Sequence, residues 1–121
     1  MDTRELVTRY YDSLNSRDGR WKSLWAQDAV FSDASKTLQA QGLEAVIASF
    51  EPFLGGVRTV RVIESIVEGS KACFVVRYTY VNQKSEAMEQ DVAEVWQIRD
   101  GKLASLILYF DLTAYRSFIR G

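Results

Sequence analysis

The 121-residue chain contains no histidine, and it has one cysteine, Cys73, and one proline, Pro52. The lack of histidine excludes Ser-His-Asp and Cys-His catalysis, histidine-ligated metal sites and the usual proton carrier at neutral pH. A single cysteine forms neither an intrachain disulfide nor a thiolate metal cluster, so a reducing, cytoplasmic location is expected. Any proton chemistry must therefore use Asp, Glu, Tyr, Lys or Arg.

Long apolar runs and blocks of like charge are also absent. There is no stretch of about 18 apolar residues and no apolar leader at the N-terminus, so no membrane partner is expected. The 15 basic and 16 acidic residues nearly cancel, which argues against nucleic acid as the main partner. The 47% hydrophobic content is ordinary for a globular protein, and the length predicts one domain over residues 1–121.

Helical periodicity dominates the first part of the chain. A helix is predicted from Thr3 to Ser16, because Asp2 and Glu5 have the spacing of a capping box and apolar residues recur every three or four positions. Gly55-Gly56 is expected to end a later helix. The segments predicted after the first helix are a short helix at 20–26, a short strand at 29–33 and a third helix at 43–54.

The second half of the chain changes to the two-residue alternation of β-strands. Asp100-Gly101 is typical of a tight hairpin turn between two of them. Helices followed by a run of long strands predict the α+β class with a mainly antiparallel sheet. The four long strands and a final short helix are predicted at 59–67, 72–81, 88–99, 102–110 and 113–119.

Both faces of this predicted sheet carry many apolar side chains, whereas the helices can cover only one face. A large uncovered apolar face is unfavourable in water, so we expect a homodimer formed through it. The residues assigned to the uncovered face are Phe74, Val76, Tyr78, Tyr80, Val95, Ile107 and Tyr109.

Two charged residues, Arg77 and Glu94, lie among apolar neighbours on their strands. An unpaired carboxylate is costly to bury, so Glu94 should be either paired or protonated. We favour an Arg77–Glu94 ion pair; the alternative is a Glu94 with no basic neighbour, which would be a proton donor facing a pocket. A polar floor under apolar walls is typical of a small-molecule site. The expected pocket residues besides Arg77 are Trp25, Val75, Thr79, Trp96, Leu108 and Phe110.

Five local motifs occur in an order known from one superfamily. They are ELVTRYY at 5–11, AQDAVFSD at 26–33, GLEAV at 42–46, VWQIRDGKL at 95–103 and YFDLTAY at 109–115. With the order of elements, they resemble the nuclear transport factor 2-like superfamily and, within it, the SnoaL-like group. The resemblance implies a cone of three N-terminal helices packed on a curved sheet of four to six strands. It also implies a short C-terminal helix and an apolar pocket at the open end.

The resemblance also implies candidate catalytic residues. Ketosteroid isomerases of this superfamily use an Asp base after the second helix, a Tyr on the first helix and a protonated Asp on a long strand. Asp33, Tyr10 and Glu94 match these positions, with Glu replacing the last Asp. Thr79 and Leu108 stand where limonene epoxide hydrolases carry acids, so epoxide hydrolysis is not expected.

Two functions remain open from the sequence. In the first, Asp33 removes a proton next to a carbonyl, and Tyr10, Glu94 or Arg77 stabilises the enolate oxygen. Such an isomerase, cyclase or dehydratase needs no metal and no organic cofactor, and its partner is a small hydrophobic molecule. In the second, the domain is a non-catalytic binding or dimeric adaptor module whose polar pocket residues are locked in ion pairs. Asp33 has a structural alternative too, since it can cap a turn with Ser35.

Overall fold

The computed structural model describes all 121 residues. No helix in it is long and apolar enough to cross a membrane. The elements in chain order are α1 (Thr3–Ser16), a 3-10 helix (Arg20–Leu24), β1 (Trp25–Asp33), β2 (Gln39–Gln41), α2 (Leu43–Gly55), β3 (Val57–Glu68), β4 (Lys71–Val81), β5 (Ala87–Arg99), β6 (Lys102–Tyr109) and α3 (Leu112–Arg120).

The six strands form one mixed sheet in the order β2-β1-β6-β5-β4-β3. Strands β3 to β6 form an antiparallel meander, whereas β1 runs parallel to β6 and antiparallel to β2. The predicted α+β class is confirmed. Strand β2 was not predicted, because its three residues, Gln39–Gln41, are too few for an alternating pattern to be recognised.

The prediction of three N-terminal helices is wrong in detail. After α1 the chain makes only a 3-10 helix, and it is extended from Trp25 onward. Trp25 pairs with Leu103 of β6 and its ring is buried against Phe50 and Trp96, and the inward residues that follow it include Ala29 and Phe31. Two α-helices therefore precede the long strands, and the third, α3, follows them at the C-terminus.

Helix α1 begins as its sequence predicts. The Asp2 carboxylate accepts a hydrogen bond of 2.8 Å from the backbone N–H of Glu5, which satisfies one of the free donors at the helix start. The helix buries an apolar stripe against the inner face of the sheet, and its buried residues are Leu6, Val7, Tyr10, Tyr11, Ser13 and Leu14.

The register between β4 and β5 decides which side chains face the helices. Phe74 lies directly opposite Glu94, and opposed residues of an antiparallel pair point to the same side of the sheet. The expected uncovered set is therefore wrong in part, because four of its members share the buried inner face with Glu94 and Trp96. These four are Phe74, Val76, Tyr78 and Tyr80.

The outer face carries the opposite set of β4 residues. Val75, Arg77 and Thr79 alternate with the buried residues of the strand and are only half-buried. They do not contribute to a pocket on the inner face, which corrects the expectation for all three. The alternation along each strand is clear in the sequence, but matching the sets of two strands requires their register, which the loop between Val81 and Ala87 determines.

Candidate functional site

A cavity of about 350 Å³ lies between the inner face of the sheet, α2 and α3. Twelve of its 16 lining residues are hydrophobic, so the cavity suits an apolar molecule. Glu94 and Arg116 are the charged residues among them. The aromatic residues in the wall are Phe31, Phe50, Phe53, Tyr78, Tyr80, Phe110 and Tyr115.

Glu94 of β5 is held by two tyrosine hydroxyls. Tyr11 of α1 donates to Oε1 and Tyr78 of β4 donates to Oε2, each at 2.6 Å. Trp96 donates its indole N–H to the Tyr11 hydroxyl at 3.1 Å. The Glu94 side chain is only 1% exposed, so these contacts fix its carboxyl group within the inner face of the sheet.

The electrostatic state of Glu94 follows from its burial. Burial raises the pKa of Glu94 to about 7, although the hydrogen bonds from Tyr11 and Tyr78 oppose the rise. Near neutral pH both the protonated and the ionised forms of Glu94 are therefore populated. A carboxyl group in this condition can both accept and release a proton near pH 7.

The favoured Arg77–Glu94 ion pair is wrong. Arg77 forms a bidentate salt bridge with Asp91 on the outer face, with distances of 2.7 and 3.1 Å. None of the four salt bridges in the structure includes Glu94. The alternative considered above, a buried Glu94 without a basic neighbour, is the arrangement that the structure has.

Three tyrosines surround Glu94 with neutral hydroxyl groups. Burial, and then the charge of Glu94, raise the pKa of Tyr10, Tyr11 and Tyr78 well above the usual value. All three therefore stay protonated at physiological pH. Tyr11 and Tyr78 hold the carboxyl group, whereas the ring of Tyr10 packs edge-on against Trp96 with centroids 4.9 Å apart.

Asp33 is the last residue of β1, next to a turn, and does not line the cavity. Its carboxylate accepts hydrogen bonds from the backbone N–H groups of Leu38 (2.7 Å) and Ser35 (3.3 Å) and from the Ser35 hydroxyl. Burial raises the pKa of Asp33, but these hydrogen bonds outweigh it and leave the pKa below its ordinary value. Asp33 borders a separate depression next to the cavity, and its hydrogen bonds are those of the turn-capping alternative.

The remaining expected pocket residues divide between wall and core. Leu108 and Phe110 line the cavity. Trp25 and Trp96 pack on each other in the core with ring centroids 5.6 Å apart, and the buried indole N–H of Trp25 has no hydrogen-bond partner. No group of three or more acidic or thiol side chains is placed to hold a metal ion.

The roles of Tyr11 and Tyr78 were not predicted from the sequence. Tyr11 directly follows Tyr10 in α1, and both side chains are buried, so helical periodicity alone does not separate their roles. Tyr78 had been assigned to the outer face. The correct register of β4 against β5 was the only signal that could have placed it beside Glu94.

Comparison with models of known protein families shows which family this chain belongs to. A model of the SnoaL-like domain matches residues 7–106. The chain belongs to the SnoaL-like family. The match runs from Val7 in α1 to Leu106 in β6, and so it includes Glu94 and the hydrogen-bonded Tyr11, Tyr78 and Trp96. No protein among those with curated descriptions matches this SnoaL-like domain in sequence.

Solved structures share the fold over nearly its full length. An NTF2-like protein of unknown function from Burkholderia pseudomallei superposes with a TM-score of 0.84 and 15% identity, covering 100% of this chain and 99% of that chain. A protein from Jannaschia named as a SnoaL-like polyketide cyclase gives a TM-score of 0.82 and 19% identity, covering 97% and 90%.

A third structure of similar TM-score and identity is TerC, which was co-crystallised with polyporic acid. It has a TM-score of 0.82 and 19% identity, covering 98% of both chains. At identities this low, the likeness extends to the fold of the SnoaL-like domain, which serves many different activities.

Proposed function

We propose that this SnoaL-like domain is a cofactor-free enzyme that moves a proton next to a carbonyl group of a small apolar substrate, with Glu94 as the acid–base group. The observation that carries the proposal is a carboxyl group with a pKa of about 7, buried without a cationic partner at an apolar cavity. A general base is most effective when its pKa lies near the working pH. Isomerisation, aldol-type cyclisation and dehydration share this proton-transfer step.

The contacts of Glu94 suggest how the step proceeds. The ionised carboxylate takes the proton from carbon, and the electron pair of the C–H bond moves onto the carbonyl oxygen to give an enolate. Tyr78, which also lines the cavity, can then turn its O–H from the protonated Glu94 to the enolate oxygen. Tyr11 keeps the carboxyl group in place through Oε1, and Glu94 returns the proton to the substrate.

Two observations support an enzyme over a passive binding module. A binding module would hold its polar pocket residues in ion pairs, and Glu94 has no such pair. The relatives also point to small organic ligands, since one is named as a polyketide cyclase and TerC was crystallised with polyporic acid. Both observations support proton transfer on a small organic molecule.

The direct test of this function is proton exchange at a model ketone. 2-Tetralone, a small aromatic ketone, is incubated in buffered D₂O, and deuterium incorporation next to its carbonyl is followed by NMR. The wild-type domain is expected to accelerate the exchange. Ser49→Trp, which places a large side chain at the cavity wall from an exposed position on α2, is expected to remove most of that acceleration. A wild-type rate equal to that of buffer would contradict the proposal.

We also propose that the domain forms a homodimer through the outer face of its sheet. Apolar side chains remain on that face: Val75, Val95 and Ile107 are half-buried, and Tyr109 is 48% exposed. They lie on three adjacent strands, where Val95 pairs with Ile107, Ala93 pairs with Tyr109 and Val75 pairs with Ala93. A second copy would cover this continuous apolar strip.

A charge in the middle of this strip is expected to separate the dimer. Val95→Asp should convert the domain to monomer at about 10 µM. Burying an unpaired carboxylate in the interface is unfavourable by more free energy than the apolar contact contributes. Thr113→Asp, at an exposed position on α3, should leave the dimer intact. Light scattering measures the mass of each protein, and a wild-type domain that is monomeric at this concentration would refute the dimer.

A further inference from the structure

Arg116 is the only cationic side chain that lines the cavity. It lies on the side of α3 that faces the cavity, together with Leu112, Tyr115 and Ile119. Arg116 also borders the neighbouring depression next to Asp33, and the side chain is exposed. It therefore stands at the rim, where the cavity opens to the surface, while Glu94 lies buried on the sheet.

No acidic side chain of the protein neutralises Arg116. None of the four salt bridges includes it. Two carboxylates border the same depression, but both have structural partners: Asp33 accepts from Ser35 and Leu38 in its turn, and Asp111 accepts from the N–H of Ala114 at the start of α3. The guanidinium group is thus available to a molecule that enters the cavity.

We infer that the ligand of this cavity is an aromatic organic anion, whose acidic group pairs with Arg116 at the rim while its carbonyl end reaches Glu94. This inference rests on the proposed function and specifies its substrate class. The shared requirement is an acidic group that presents two oxygens, such as a carboxylate or a sulfonate, because a guanidinium group binds it through two parallel hydrogen bonds.

The charges in the cavity favour a ligand whose acidic group lies at Arg116 over one whose acidic group lies at Glu94. An anion placed next to Glu94 would disfavour the ionised carboxylate, so Glu94 would stay protonated and could not take a proton from the substrate. An anionic group at the rim pairs with Arg116 and lies away from Glu94, and the aromatic wall accommodates the rest of the molecule.

Two fluorescent probes with the same aromatic skeleton test the inference. 8-Anilino-1-naphthalenesulfonate carries a negative charge, and N-phenyl-1-naphthylamine is its uncharged counterpart. Arg116→Gln is expected to weaken binding of the anionic probe about tenfold and to leave the uncharged probe unchanged. Arg116→Lys keeps the positive charge but not the paired N–H groups, so it should bind the anionic probe less tightly than wild type and more tightly than Arg116→Gln. Arg120→Gln, on the same helix but outside the cavity lining, should change neither probe.

The outcomes separate this inference from the proposed function. If both probes bind but Arg116→Gln leaves the anionic probe unaffected, the anionic substrate class is wrong and the cavity stands. If Arg116→Gln weakens both probes equally, Arg116 acts by packing and the inference is overturned as well. If the wild-type domain binds neither probe, the cavity is not a ligand site and the proposed function fails with it.

Discussion

Replacing Glu94 by glutamine is expected to lower the rate of 2-tetralone proton exchange by roughly a hundredfold or more, which is the usual loss when a general base is removed. Glutamine has nearly the same shape, and it retains a carbonyl oxygen to accept from Tyr11 or Tyr78. It has no carboxylate to take the proton from carbon. The fold should therefore persist while the chemistry is lost.

The pH dependence of the wild-type rate provides a second readout of the same step. Only ionised Glu94 acts as the base, so the rate above buffer should rise with pH and level off above the pKa of about 7. Glu89→Gln makes the same substitution at an exposed position of β5 and should leave rate and profile unchanged. If Glu94→Gln exchanges as fast as wild type, the base lies elsewhere.

The Glu94→Gln substitution is also expected to change how the stability of the domain depends on pH. The pKa of Glu94 rises from 4.5 to about 7 on folding, so the folded state holds a proton that the unfolded state has released. The stability linked to this proton is fully present below pH 4.5 and is lost as the pH rises through about 7. The size of this pKa change corresponds to about 3 kcal/mol in the free energy of unfolding.

Chemical denaturation between pH 4 and pH 8 measures this effect as a difference between two proteins. The free energy of unfolding of Glu94→Gln minus that of wild type should increase by about 3 kcal/mol as the pH rises from 4 to 8. The lowered pKa values of Asp18, Asp33 and Asp91 affect stability at more acidic pH and do so equally in both proteins. Parallel pH curves for the two proteins would show that Glu94 is not buried in the way described.

Local sequence signals predicted the elements well where short-range interactions determine them. Helix α1 occupies the predicted range, because its cap and its apolar spacing act within a few residues. The four long strands start and end within a few residues of their predicted limits. The turn-capping alternative for Asp33 was likewise readable, since Ser35 stands two residues later and its hydroxyl reaches the carboxylate.

The composition of the site depended on geometry that the sequence does not encode locally. A slip of one residue between β4 and β5 moves Arg77 to the side of Glu94 and Tyr78 away from it, and nothing within either strand distinguishes the two registers. Tyr10 and Tyr11 differ by one helical step, so the packing of α1 on the sheet decides which hydroxyl meets Glu94. The partner of Glu94 was for these reasons mispredicted.

The parallel pairing of β1 with β6 has a consequence for how the chain folds. It joins residues 25–33 to residues 103–108, a long separation in a chain of 121 residues. Closing so long a loop is entropically costly, and contacts of this kind slow folding. The β3–β6 meander contains only local connections and can assemble first. The strand β1 is then expected to dock late, so a ribosome must synthesise nearly the whole chain before the cavity acquires its Phe31 wall.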